Sequence, residues 1–418
     1  MKFLDYSLMN KIKNKLVPEL RFPAFEDDGE WDYFYGNKLF KTVSNKNHNS
    51  ELPILAITQD QGAIPREEIN YHVSVSKKSV EGYKVVEVGD FIISLRSFQG
   101  GIEYSNHLGI CSPAYIILRR KKKNLLNLFY KQYFKTDVFI SHLNKNLEGI
   151  RDGKMVSYKQ FSEIKIPQPQ TQEQQKIADC IASLDELILG FIEKLEALKR
   201  HKRGLMQNLF PQDGLNVPNY RFAEFKNDKE WEKTTLGKIT NVISNKNKDN
   251  KNLPVYSINN KDGFLPQSEQ FDDMNSKRRG YDISLYKIIE KNTFAYNPAR
   301  INVGSIGYSG NLNNILISSL YVCFKTENIV DDKFLNQYLE TPYFLKLVNR
   351  NTEGGIRSYL FYKNFSKITI SLPSMQEQQK IATCLTSMDD LISAQQNKIA
   401  QIEQHKKGLL QGLFPKVN

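Results

Sequence analysis

EQQKIADCIASLDELI (Glu173–Ile188) and EQQKIATCLTSMDDLI (Glu377–Ile392) are nearly the same sixteen residues, written about two hundred residues apart in one chain of 418. Each copy follows a proline, Pro169 or Pro373, which cannot sit inside a helix and so marks where one can begin. Ser374 with Glu377 has capping-box spacing, and Thr171 with Gln174 offers a similar start one position out of register. The apolar residues then step by four and three. The first copy gives Ile177, Ile181, Leu184, Ile188, Phe191, Leu195, Leu198, Leu205 and Leu209, with Lys202 filling the single gap. The second gives Ile381, Leu385, Met388, Ile392, Ile399, Ile402, Leu409 and Leu413, with Gln395 and Lys406 breaking the seam. An a/d pattern over more than four heptads predicts a coiled-coil helix. The competing reading is a long amphipathic helix packed on its own domain. Two helices with one seam favour mutual burial within the chain, and two repeats related by a pseudo-twofold axis pair them antiparallel. Phe191 and Gln395 occupy matching positions, so the pair is not chemically symmetric. Lys202 and Lys406 also match, and their ammonium groups are expected to reach water.

The duplication extends outward from these helices. VPELRFPAF from Val17 returns as VPNYRFAEF from Val217, and LPILAITQDQG from Leu52 is echoed by LPVYSINNKDG from Leu253. EGIRDGKMVSYKQFSEIKIPQP from Glu148 is echoed by GGIRSYLFYKNFSKITISLP from Gly354, and HKRGLMQNLFP from His201 by HKKGLLQGLFP from His405. A period of this size means two domain-sized copies rather than a solenoid. The interiors, 63–145 and 264–348, hardly resemble each other. A shared framework with two unlike interiors predicts two sites of one kind with different specificities. The expected division is a short extension at 1–16, globular domains at 17–170 and 213–373, and coiled-coil helices at 171–212 and 374–418.

Before each helix, short β-rich runs alternate with Gly- and Asn-punctuated turns: YKVVEVGDFIISL and SPAYIILR in the first half, YKIIEKNTFAY and NILISSLYVCF in the second. LLNLFYKQYFKT and DDKFLNQYLETPYFLKLV carry helical spacing. The fold class is therefore α+β: two twisted sheets with short helices, joined by two long helices in an intramolecular antiparallel coiled coil. Helices over 172–210 and 376–413 are roughly 50–55 Å long at about 1.5 Å per residue. A rigid pair of that length suits a spacer that holds two unlike domains a fixed distance apart.

Lys and Arg number 58 against 46 Asp and Glu, a formal net charge of +12. A polyanionic partner fits that balance, because basic side chains release counterions from phosphates. A solvated basic surface is the plainer reading, and charge alone does not separate nucleic acid from an anionic membrane. No apolar run approaches the roughly 18 residues needed to span a bilayer. MKFLDYSLMNKIKNKL lacks the apolar core and cleavage site of a signal peptide, and Met9 offers an alternative start. Cys111, Cys180, Cys323 and Cys384 show no C-x-x-C spacing, which argues against metal and disulfides and fits a reducing cytoplasm.

For base edges the candidates lie in loops rich in Arg, Asn, Gln and Gly, since Arg suits guanine and Asn or Gln suits adenine. They are Arg96 and Gln99 in SLRSFQGG, Arg151 and Lys154 in GIRDGK, Arg300 and Asn302 in NPARINVG, and Arg357 and Tyr359 in GIRSY. Each is equally an ordinary polar loop residue; the repeated placement lifts them. RRKKK from Arg119 and KRR from Lys277 are candidate phosphate contacts or solvated runs. Catalytic motifs are missing: there is no P-loop and no G-x-G-x-x-G after a strand. YNPAR at Tyr296 has a partial likeness to the Asn-Pro-Pro-Tyr motif of amino-methyltransferases, but Ala299 and Arg300 stand where a proline and an aromatic belong. No catalytic residue, metal or cofactor of the chain's own is expected.

These residues together resemble the specificity subunit of type I restriction-modification systems. The carriers are IPQPQTQEQQKIA and SLPSMQEQQKIA, the helix ends KRGLMQNLF and KKGLLQGLF, the GIR approach to each final strand, and the duplication. VPELRFPAF with the following Glu-Trp is similar to the opening of Gram-positive members. The resemblance covers nearly the whole chain after Val17. It implies two target recognition domains, each reading one half of a bipartite, asymmetric double-stranded DNA sequence. It implies paired helices that set the gap and dock two modification subunits, which bring S-adenosylmethionine and methylate adenine. Two restriction subunits can add ATP-driven translocation and cleavage. Base-contacting residues vary within the family, so none carries over. An autonomous nucleic-acid enzyme, and a coiled-coil scaffold with incidental charge, remain the rival readings.

Overall fold

The structure, a computed structural model, describes residues 16–69, 77–145, 156–260, 263–270, 282–353 and 359–415. The chain divides into two compact units, Met1–Ile192 with Asn397–Asn418, and Glu193–Gln396. The cuts fall inside the long helices, so each unit contains the start of one helix and the end of the other.

In the first unit, Asp32–Tyr35 pairs antiparallel with Lys165–Gln168, the strand that leads into the first long helix. The main sheet runs in the order Phe40–Val43, Ile116–Arg120, Phe91–Ile93, Glu103–Tyr104, with antiparallel neighbours. The strand Phe91–Ile93 is buried throughout because it serves two cores. Alternate residues of a strand face opposite sides. Phe91 and Ile93 accordingly join an aromatic core with Phe129, Tyr130, Phe134 and Phe161. Ile92 joins a smaller cluster with Leu55, Val86 and Ile117. Hairpin strands Leu55–Thr58 and Gly62–Pro65 supply part of that second layer, and a parallel bridge from Ile54 to Ile110 links them to the pair Lys84–Val86 and Gly109–Cys111. Helices Asn127–Tyr133 and Asp137–Lys145 form from the helical spacing seen in the sequence.

The second unit repeats this plan. Glu232–Thr235 pairs with Thr369–Leu372. The main sheet runs Thr240–Ile243, Val322–Thr326, Phe294–Tyr296, Ile306–Tyr308. Phe294 and Tyr296 face one core and Ala295 the other. The second layer is a full sheet of Gly263–Pro266, Val255–Asn259, Ile315–Ile317 and Lys287–Ile289. Helices Asp332–Leu339 and Pro342–Asn351 complete it.

The long helices span Thr171–Leu209 and Met375–Leu413 and run antiparallel. In the first unit Lys406 lies 2.5 Å from Asp185, and the Lys398 ammonium sits over the Phe191 ring. In the second unit Lys202 lies 2.7 Å from Asp389. Along both seams Ile177, Ile181, Ile188, Leu195, Ile381, Leu385, Met388 and Ile399 are buried, and Leu184, Phe191, Leu198, Ile392 and Ile402 are half-buried. The opening turns do more than pair. Ile177, Ala178 and Ile181 enter the aromatic core of the first unit together with Leu413 and Phe414. Ile381, Ala382 and Leu385 enter that of the second together with Met206, Leu209 and Phe210. Burial against the partner helix and burial against the helix's own domain therefore both hold.

Two expectations about the helices are corrected. Neither capping box closes in full: Ser374 Oγ accepts from the Glu377 amide at 3.4 Å, but the Glu377 carboxylate turns to Arg221, and Gln174 turns to the Leu126 amide. Nor do the seam lysines simply reach water. Lys202 is 12% exposed and held by Glu340 at 3.0 Å as well as Asp389.

Candidate nucleic-acid interface

In the first unit the chain leaves the strand Phe91–Ile93, passes Ser94 and Leu95, and opens a one-turn helix, Ser97–Gly100, at Arg96. In the second it leaves Phe294–Tyr296 and opens the turn Ile301–Val303 at Arg300. Both arginines take similar backbone angles, φ −111° ψ 7° and φ −136° ψ 7°. Arg96, Gln99, Arg300 and Asn302 are exposed. Two loops with no sequence match thus fill one topological place and present an arginine and an amide each.

The turns are firmly held. Below the first, Lys135 Nζ donates to the Gly100 carbonyl at 2.9 Å, to the Gln59 carbonyl at 3.0 Å and to Glu103 Oε1 at 2.6 Å. Glu103 is buried. Burial raises its carboxyl above the ordinary carboxylate range, with Lys135 pulling the other way. Gly101 has φ 81°, and a Cβ there would lie 2.0 Å from the Phe134 carbonyl oxygen, so only glycine fits. In the second unit Gly304 closes the turn at φ 89°, and Ser305 donates its amide to the Arg300 carbonyl at 3.1 Å.

Tyr359 precedes a residue whose backbone is tied to the loop leading into Arg300. The Leu360 amide donates to the Pro298 carbonyl at 3.0 Å, which sets Tyr359 and Phe361 beside the arginine turn. Those two rings stack at 5.7 Å and 4°. Arg151, Lys154 and Arg357 lie outside the described residues, as does the basic run at Lys277. The run at Arg119 is largely committed internally. Arg119 pairs with Asp90 at 2.7 Å and Glu87 at 2.8 Å, which raises its pKa, chiefly through the Asp90 hydrogen bonds. Arg120 donates to the Leu125 carbonyl and Lys121 to that of Asn37.

Among the described residues no cluster of His, Cys, Asp or Glu could hold a metal, and no helix is long and apolar enough to cross a membrane. The four cysteines are free, and burial pushes the Cys111 and Cys323 thiols up to about 12 and about 11.

Sequence reasoning missed the hairpin tips that abut the turns. Gln59 Nε2 donates to the Arg96 carbonyl at 3.1 Å, and in the second unit Ser305 Oγ donates to the Ile258 carbonyl at 3.2 Å. The available signal was the echoed pair AITQDQG and SINNKDG, amide-rich in both copies.

Comparison with known proteins agrees with this architecture. The type I restriction modification DNA specificity domain matches twice, over residues 33–200 and 228–404. Two specificity subunits of Methanocaldococcus jannaschii are similar. That of the MjaVIII type I restriction enzyme is 25% identical over 81% of this chain and 80% of its own length. That of the putative MjaX enzyme is 23% identical over 82% and 81%. Among solved structures, the S subunit of a type I restriction-modification system from M. genitalium superposes with a TM-score of 0.55 at 15% identity, covering 96% of this chain and all of that one. A chain from a type I system studied for complex assembly and conformational transition gives 0.54 at 15% identity, covering 93% and 98%.

Proposed function

From the premise that the chain belongs to the type I restriction-modification DNA specificity family, we propose that it reads a bipartite, asymmetric DNA target for subunits that carry out the chemistry. The reader at 17–170 takes one half-site and the reader at 213–373 the other. The helices at 171–212 and 374–418 set the gap and dock two modification subunits, with two restriction subunits as optional additions. The chain itself contributes recognition rather than catalysis. Arg96 and Gln99 contact bases of one half-site; Arg300, Asn302 and Tyr359 contact bases of the other. Arg151 and Lys154 for the first half-site, and Arg357 for the second, are further candidates that lie outside the described residues.

One observation carries this reading: two unlike arginine turns occupy the same topological place in two units that share a framework. Equivalent position supports one role, and different side chains support different targets. Arginine matches guanine N7 and O6 bidentately, while amides match adenine.

Long-read methylation mapping of genomic DNA tests it, with and without this gene in cells carrying a cognate modification subunit. The expected result is a new N6-methyladenine motif with two unlike half-sites and a fixed gap. A stable complex with no gene-dependent motif favours the scaffold reading instead.

A further inference from the structure

We infer that the tip of the hairpin at residues 58–62 is the second part of the first unit's base-reading edge. Gln61 is its reader, and Gln59 and Lys135 are its positioning residues. The inference rests on the proposed reading of DNA by the Arg96 turn and extends it to a separate stretch of chain.

The argument begins with how the tip is fixed. The Thr58 hydroxyl donates to the Gly62 carbonyl at 3.0 Å and accepts from the Gln61 amide at 3.1 Å, which closes the tip without using the Gln61 side chain. The Gln59 side chain lies across Gly100, where an added Cβ would come within 2.9 Å of its amide. Its Nε2 holds the Arg96 carbonyl. One lysine, Lys135, then binds carbonyls of both stretches and anchors on the buried Glu103 carboxylate. Tip and turn therefore move as one piece, although Gln59 and Arg96 are 37 residues apart in sequence. Arg96, Gln99 and Gln61 are all exposed on that piece.

The second unit rebuilds the apposition with different chemistry. Among the described residues the two stretches meet through glycines: Gly304 packs against Asn260, and Gly307 against Gly263 and Phe264. Its tip again opens with amides, Asn259 and Asn260. A contact conserved in place but not in residues belongs to the framework, and the amides on it belong to the specificity. A side-chain amide carries both a donor group and an acceptor, the pair that adenine N7 and N6 require in the major groove.

The test uses the full-length chain in complex with its modification subunit. Methylation rates are compared on duplexes that differ from the mapped motif by one base pair. Gln61→Ala is expected to lower discrimination about tenfold or more at one base pair of one half-site, the half that Arg96→Ala also relaxes, and to leave the other half unchanged. Lys135→Met is expected to relax the base pairs of both Arg96 and Gln61 together. Binding to unrelated DNA, which a merely structural role would weaken in parallel, should stay the same. Unchanged single-base ratios for Gln61→Ala, or equal weakening on every sequence, overturns the inference. If Arg96→Ala relaxes one half-site and Gln61→Ala does not, the tip falls and the turn stands. If neither changes any ratio, the reading by the Arg96 turn falls with it. Gln61 is exposed, so its variant decides the matter even where Lys135→Met does not assemble.

Discussion

At the scale of single residues, the repeated motif is explained almost letter by letter. Glu173 accepts two bonds from Arg21, at 2.8 and 2.9 Å, and Glu377 two from Arg221, at 2.8 and 2.6 Å. Gln174 and Gln378 each bind the preceding proline carbonyl and a loop amide, that of Leu126 or Asp331. Lys176 and Lys380 sit over Phe22 and Phe222. Ile177 with Ala178, and Ile381 with Ala382, enter the cores, which leaves Gln175 and Gln379 exposed. The motif recurs because each unit needs the same knot between its entry segment and its helix. Losing one partner of a buried ion pair leaves the other charge uncompensated, at roughly 3–5 kcal/mol. At the glutamate carboxylates the two knots differ in one bond. Trp31 Nε1 also donates to Glu173 at 3.0 Å, whereas the Trp231 indole N–H has no partner among the described residues. Arg221→Ala is therefore expected to destabilise more than Arg21→Ala, by about 1 kcal/mol, the value of one such hydrogen bond. Urea unfolding of the two variants measures the difference, and equal midpoints would remove the role given to Trp31.

At the scale of elements, the helices were the most legible part of the sequence and the knots the least. A heptad seam is a periodic signal that any residue in register strengthens, so both 39-residue helices were plain. The strands were legible from apolar runs such as FII and ILI, which stay continuous because both faces are buried. Local spacing failed where a distant partner competed. Ser374 and Glu377 have capping-box spacing, but Arg221, 156 positions earlier, takes the glutamate. Lys202 looked destined for water, and Glu340, 138 positions later, takes its ammonium. The hairpin tips escaped notice because their contacts run through carbonyl groups, which leave no mark on side-chain pattern. The seam carries its own prediction. Leu184 packs on the aromatic core and Ile188 is buried in the pair. Replacing both with Asp puts two unpaired charges into apolar surroundings, expected to destabilise by more than about 4 kcal/mol in total. Helical circular dichroism should fall and copurification with the modification subunit should be lost; retention of both would show that the pair is dispensable.

At the scale of the whole molecule, the net charge of +12 has to be divided between structure and DNA. Arg21, Arg119, Lys135, Lys202, Arg221 and Lys406 are spent on carboxylates of the chain itself. Arg96 and Arg300 stand exposed, the carbonyl of the first held by Gln59 and that of the second by the Ser305 amide. Phosphate contacts and base contacts leave different traces. A phosphate contact adds to the salt slope and weakens binding on every sequence alike, whereas a base contact changes the ratio between the right sequence and a wrong one. Arg300→Ala, measured in the complex with the modification subunit, should lose about 1–3 kcal/mol of discrimination at one base pair. Its slope of log affinity against log salt should change by much less than one unit, and the half-site that Arg96 relaxes should keep its ratios. Equal weakening on all sequences with a slope reduced by about one would place Arg300 on a phosphate. Loss at both half-sites together would mean that the turn orients the duplex rather than reads it, and two unlike turns in one topological place would then need another cause.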